Sequence, residues 1–222
     1  MTLSTELLAH SAFSFLDGAS EPEELVARAA ALGYSAVALA DFGGVYGAPR
    51  FFQAARKAGL KAIVGAEVRV AFPGPSPLGV HRCSSVVSLL VRSRAGYRNL
   101  CRLLTRGHAG RAKGECVVTL DELTAHAGGL VAVAGRSLAV HDEPLLDRLA
   151  AIFPRGDLVL AISLHGLREE ERDNHARVEV SRRRRLPLVA TNEVRYAAPD
   201  RAALYDVMTC LRNGTTLENA GR

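Results

Sequence analysis

His10 closes the apolar stretch Leu7-Leu8-Ala9 and is a metal-ligating residue type at the end of a short strand. An apolar strand ending in His-x-His, followed by strands ending in Asp-His, Glu and Asp-x-His, would gather imidazoles and carboxylates at the mouth of an α/β barrel. Such a set can hold two or three divalent ions, which bind a phosphate and lower the pKa of water. In this chain His10 is half of such a motif, and the other half is missing.

The elements that would position these residues alternate strand and helix from end to end, which predicts βαβ units and a parallel sheet. Leu7 to Ala9 is a first strand, Ala36 to Ala40 a second, and Lys61 to Val70 contains a third. Further strands are expected at Val86 to Val91, Leu130 to Ala134, Leu158 to Ile162 and Leu186 to Ala190. Ser20-Glu21-Pro22-Glu23 reads as a capping box with proline at the start of a helix, and Gly33 stops that helix. Other helices are expected near Pro49 to Ala58, around Tyr97 to Leu104, after the capping box Thr119 to Glu122, and at Pro144 to Ile152 and Arg168 to Arg184. Three prolines between Phe72 and Pro77 exclude regular structure there and predict a surface loop. Seven or so strands, each followed by a helix, suit a TIM-like barrel; a doubly wound parallel sheet is the alternative. Residues 1–198 form the barrel domain in this reading, and residues 199–222 begin a connection to something further.

The 222 residues are 48% hydrophobic and 23% charged, ordinary globular composition sufficient for one substantial core. No apolar run reaches the length of a membrane span, and the first residues lack the order of a signal peptide, so a cytoplasmic location is expected. Cys83, Cys101, Cys116 and Cys210 are scattered, which suggests neither a disulfide framework nor a zinc knuckle. The net charge of +5 is carried mostly by arginine, with lysine at Lys57, Lys61 and Lys113. Arginine suits phosphate geometry, but a GC-rich genome gives the same bias, and charge alone does not decide for a nucleic-acid partner.

Several segments resemble one family. His10-Ser11-Ala12-Phe13-Ser14-Phe15-Leu16-Asp17-Gly18-Ala19 is similar to the opening of the PHP (polymerase and histidinol phosphatase) domain at the N-terminus of bacterial DNA polymerase III alpha subunits. Ala38 to Gly47, Gly59 to Glu67, Gly96 to Leu100 and Val189 to Tyr196 resemble its later signatures in the same order. Asp206 to Arg212 resembles the segment leading towards the polymerase proper, and Phe13-Ser14-Phe15 with Thr216 to Arg222 resembles the error-prone, damage-inducible branch. The resemblance covers essentially the whole chain. It implies a distorted (β/α)7 barrel binding up to three Zn or Mn ions in active members.

Carried over position by position, the implied ligand set is degenerate. The first His of His-x-His falls at Leu8 and the second is His10; the Asp-His pair becomes Asp41 and Phe42. Glu67 is retained, a later Cys or His position falls at Arg136, and the final Asp-x-His becomes Glu193 and Arg195. No metal is expected, because His10, Asp41, Glu67 and Glu193 are too few for a trinuclear cluster; Zn or Mn would bind only if this remnant held an ion. Arg136 and Arg195 are expected to pair with Asp41, Glu67 and Glu193 in place of metal, since carboxylates left alone in a pocket are costly.

The remaining histidines, His81, His108, His126, His141, His165 and His175, lack metal spacing and are read as solvated. Arg182 to Arg185 is read first as a basic last helical turn favoured by the dipole, with DNA contact as the alternative. The resemblance thus implies a non-catalytic structural domain without catalytic residues of its own. The parent would be a polymerase, a nucleotidyltransferase using Mg, acting in damage-induced synthesis. Its expected partners are the polymerase body, with DNA and accessory proteins open. A reduced metal-dependent phosphoesterase or 3′–5′ nuclease, and a stand-alone binding module, are the competing readings.

Overall fold

The computed structural model describes residues 5–72, 83–135, 143–154 and 156–220, arranged as two compact units. The first unit comprises residues 1–64 and 193–222, and the second residues 65–192.

In the first unit, β1 (Thr5–Ala9) pairs in parallel with β2 (Ala36–Phe42). Every β2 residue from Ala36 to Asp41 is buried, the signature of a strand covered on both faces. The pairing shifts register between Glu6 and Ala9, and within that irregularity the buried Glu6 side chain accepts a hydrogen bond from the Leu8 amide at 2.9 Å. Helix α1 (Pro22–Ala31) buries Leu25, Val26 and Ala29, and α2 (Ala48–Lys57) buries Phe51 and Ala55. These side chains meet Ala9, Val37, Leu39 and Leu60 in one core. Phe51 is fully enclosed, worth about 2–3 kcal/mol relative to exposure. Proline at the start of α1 was expected, but the cap is one residue later than predicted. The Glu21 amide donates to Glu24 Oε2 at 2.8 Å, while Ser20 Oγ accepts from the Ala197 amide at 3.0 Å. A 3₁₀ turn (Pro199–Arg201) leads into α7 (Ala202–Asn213), which Gly214 ends in the left-handed conformation.

The strand β3 (Lys61–Phe72) begins in the first unit and continues into the second. There the sheet order is β5-β3-β4-β6-β7-β8, made by β4 (Cys83–Val91), β5 (Val117–Thr119), β6 (Leu130–Ala134), β7 (Leu158–Ile162) and β8 (Leu188–Ala190). The sheet is mixed, not purely parallel as the alternation suggested: β4 runs antiparallel to both β3 and β6. Only residues 73–82 separate β3 from β4, fewer than the dozen or so a parallel crossover requires. The loop predicted from its prolines falls largely in 73–82 and lies outside the described residues, and Phe72 is the last residue of β3. Helices α3 (Arg94–His108), α4 (Leu120–His126), α5 (Glu143–Ile152) and α6 (Arg168–Arg184) complete this unit. The Thr119 capping box forms as predicted, with Glu122 N donating to Thr119 Oγ1 at 3.2 Å and Thr119 N donating to Glu122 Oε2 at 2.8 Å.

Candidate functional site

The end of β1 turns sharply after His10, and the loop that follows assembles two carboxylate clusters in the first unit. The His10 amide donates to Val194 O, and the Ala19 amide donates to Arg195 O, each at 2.8 Å, which lays the 194–195 segment beside this loop. Gly18 is required for the close turn: a Cβ there would lie 2.0 Å from the carbonyl oxygen of Ser11. Leu16 and Glu193 both hold positive φ, at 62° and 48°, unfavourable for residues with side chains and a mark of a backbone fixed by its surroundings.

Asp17 is the hub of the first cluster. Its Oδ2 accepts from the Nδ1–H of the fully buried His10 at 2.9 Å and lies 3.3 Å from Arg195 Nη1. Its Oδ1 takes the guanidinium of Arg212 from α7, which also donates to the carbonyl of Leu16 at 3.3 Å. Burial works against the Asp17 charge, but the His10 hydrogen bond and the Arg195 charge outweigh it and hold the carboxyl well below its usual range. An ionised acceptor fixes the proton of His10 on Nδ1.

Asp41, at the end of β2, forms the second cluster. Its Oδ1 accepts from the Ser11 amide at 2.7 Å and from Ser14 Oγ at 2.8 Å, and its Oδ2 accepts from Ser11 Oγ at 2.8 Å. Ser14 Oγ in turn accepts from the Phe42 amide at 3.0 Å. Gly47 packs against this group, since a Cβ there would come within 3.0 Å of Asp41 Oδ2.

These contacts correct the expected pairing. Among the described residues, Asp41 is satisfied by two serines, and Arg195 pairs with Asp17. Leu8 and Phe42, which the resemblance placed at imidazole positions, lie in β1 and β2, with Leu8 fully buried. Arg136 lies outside the described residues. Glu67 belongs to the second unit, where it stands opposite Ser88 across the β3–β4 pair and accepts from Ser88 Oγ at 2.9 Å. Among the described residues, no group of three or more His, Cys, Asp or Glu has the arrangement to hold a metal ion.

Of the other histidines, read as solvated, His165 is exposed and also has partners. His165 in the second unit places Nδ1 2.6 Å from Glu170 Oε1 and Nε2 2.9 Å from the carbonyl oxygen of Asn192. Each ring nitrogen of His165 thus faces an oxygen acceptor. Its amide also donates to Glu170 Oε2 at 2.6 Å, and the His165 contact pulls the buried Glu170 carboxyl down to about 2. His126 Nδ1 engages the carbonyl of Glu122 at 2.8 Å, while His175 is exposed. His81 and His141 lie outside the described residues.

Sequence reasoning gave no role to Asp17, although it stands in the same motif as His10. The available signal was its place between a strained Leu16 and a sterically required Gly18. Ser11 and Ser14 carried a weaker one, two hydroxyls three residues apart beside a buried strand end. Arg212 carried none.

The family model for the PHP domain matches residues 6–170. The chain is 42% identical over 98% of its length to an error-prone DNA polymerase of Anaeromyxobacter sp. (strain K), and covers 19% of that protein. It is 36% identical over 97% of its length to the error-prone DNA polymerase of Mycobacterium bovis, covering 21% of it. The chain thus spans about a fifth of the length of the curated relatives it matches. A crystal structure from Bifidobacterium adolescentis, assigned as a metal-dependent phosphoesterase, superposes with a TM-score of 0.62 at 14% identity over 94% of this chain and 97% of that one. That likeness gives the fold, an α/β architecture of the distorted TIM-like barrel type.

Proposed function

The chain belongs to the PHP domain family, and from that premise we propose that it is a non-catalytic structural domain of an error-prone, polymerase III alpha-type DNA polymerase. The observation that carries this reading is the pair of guanidinium groups on Asp17. Whatever the charge on His10, one carboxylate faces two arginines and the cluster already has a net positive charge. A further cation there meets repulsion of about 4 kcal/mol per pair of unit charges at about 4 Å, for an effective dielectric near 20. Both Asp41 oxygens are likewise filled by donors. These residues do not fit a divalent ion.

The domain holds the start of a longer chain in a rigid frame, with residues 199–222 beginning its connection to the polymerase body. Arg212 ties that connection to the loop after β1. On α7, Leu204, Val207 and Leu211 stay exposed at helical spacing, which suits packing against further polypeptide. The parent would use Mg to add nucleotides in damage-induced synthesis in the cytoplasm, with carboxylates outside these 222 residues.

The test is metal content by mass spectrometry after loading the purified chain with Zn and Mn and dialysing, alongside a phosphodiesterase assay. Clearly sub-stoichiometric metal and no hydrolysis are expected. A stoichiometric ion lost on Asp41→Asn, with hydrolysis of a primer end, would replace this reading with the residual nuclease.

A further inference from the structure

Helix α3 carries Arg94, Arg98, Arg102 and Arg106, four arginines in one i, i+4 row, and no acidic residue anywhere in its length. All four are exposed, while Gly96, Leu100, Leu103, Leu104 and Gly107 make the buried face. Two of the buried positions are glycines because the neighbouring chain comes very close. A Cβ on Gly96 would lie 2.0 Å from Gly129 O, and one on Gly107 would lie 2.8 Å from Cys116 Sγ. The orientation of the helix, and hence of the arginine row, is therefore fixed by packing.

The row is poorly explained by stability. Like charges at i, i+4 destabilise a helix, and Arg94 in the first turn opposes the helix dipole. No ion pair among the described residues reaches any of the four. The basic turn of α6 is different: Arg182 pairs with Glu179 at 2.9 Å and Arg184 pairs with Asp147. Beyond α3, exposed Lys113 extends the positive charge, together with Arg111, whose Nε is anchored on Val117 O at 3.2 Å.

We infer that this face of α3 is a binding site for the phosphate backbone of a nucleic acid. Successive arginines rise by about 6 Å, and the row spans about 18 Å, a linear array of cations suited to a linear polyanion. Guanidinium groups take phosphate oxygens in pairs, so arginine here gives more than a point charge. A backbone site reads no sequence, and its affinity falls steeply with salt. The inference rests on the polymerase-domain reading only for nucleic acid as the polyanion; a scaffold that never touches DNA would satisfy that reading equally.

The experiment uses the whole 222-residue chain. Fluorescence anisotropy with a labelled duplex, a labelled single strand and a labelled polyglutamate peptide is followed from about 50 to 200 mM NaCl, the range over which phosphate contacts are lost. Nucleic-acid affinity is expected to fall on the order of a hundredfold across that range, as release of about four counterions requires. Arg98→Glu with Arg102→Glu should lower the salt slope by roughly two and weaken binding about tenfold or more at the lowest salt. Arg182→Glu should leave both nearly unchanged, and thermal melts should show both variants folded. If charge reversal unfolds the chain, Arg98→Gln with Arg102→Gln gives the same reading with a smaller electrostatic change. Absence of binding at low salt, or a slope untouched by these substitutions, overturns the site and leaves the scaffold reading standing. Tighter capture of polyglutamate than of either nucleic acid also overturns it and makes α3 a surface for an acidic protein.

Discussion

Arg195 Nη1 lies 3.3 Å from Asp17 Oδ2, the oxygen that also accepts the hydrogen bond from His10 Nδ1. Arg195 therefore neutralises a carboxylate that follows the first strand, and Arg212 closes the group from α7. The group joins residues 10–17 to residues 195–212 within the first unit through charge contacts.

The Asp17 hub should thus behave as a stability element. Arg195→Ala and Arg212→Ala remove partly exposed partners and should each cost about 1 kcal/mol or less. Asp17→Ala should cost more, about 2–3 kcal/mol, because it leaves the buried His10 ring without its acceptor. Urea denaturation of the three variants checks this ordering, and an Asp17 variant as stable as the parent chain would contradict it.

Asp41 offers a sharper contrast. Asp41→Ala strands two hydroxyls and one amide in a buried setting and should cost about 3 kcal/mol or more. Asp41→Asn keeps the volume and the oxygen that accepts from the Ser11 amide and Ser14 Oγ, while Ser11 Oγ can turn to accept from the new amide nitrogen. It should lose clearly less stability, and equal losses in the two variants would argue against serine satisfaction as the role of Asp41.

Much of this architecture could be read in the sequence. Apolar runs bounded by glycine, proline and capping residues located β2, β6, β7, α2, α5 and α6 nearly as they stand, because these segments obey local rules. The direction of β4 was hidden, since periodicity fixes which face is buried and not which way the strand runs. The clusters were hidden for another reason. Ser11 and Ser14 meet Asp41 across 30 and 27 residues, and Arg212 meets Asp17 across 195. A ligand pattern borrowed from strand ends drew attention to His10 and Arg195, but it could not show that an unassigned Asp17 would take the arginine.

Gly18 is a steric test of that loop. Gly18→Ala would force a methyl against the Ser11 carbonyl, a backbone atom that cannot swing aside. The loop must shift, the hydrogen bonds of Ser11 to Asp41 must lengthen, and about 2–3 kcal/mol should be lost. Chemical denaturation measures the loss; a neutral Gly18→Ala would mean that the tight turn after His10 is not needed to hold Asp41.

The His165–Glu170 contact predicts a pH signature in the second unit. In the folded chain the Glu170 carboxyl is drawn down to about 2, first by the His165 hydrogen bond, against about 4.3 for an unfolded glutamate. A carboxyl depressed on folding stabilises above its unfolded value, and that contribution disappears as pH falls through the folded one. Below about pH 4.3 an imidazole stays protonated, so the window belongs to the carboxyl. Glu170→Gln should therefore melt several degrees below the parent chain at neutral pH, and the gap should narrow steadily from about pH 4 to about pH 2. Melting curves by circular dichroism across this range give the answer. A gap of constant size down to the lowest pH would mean that the ionised carboxylate contributes nothing beyond its shape, and that His165 is held by Asn192 and packing alone.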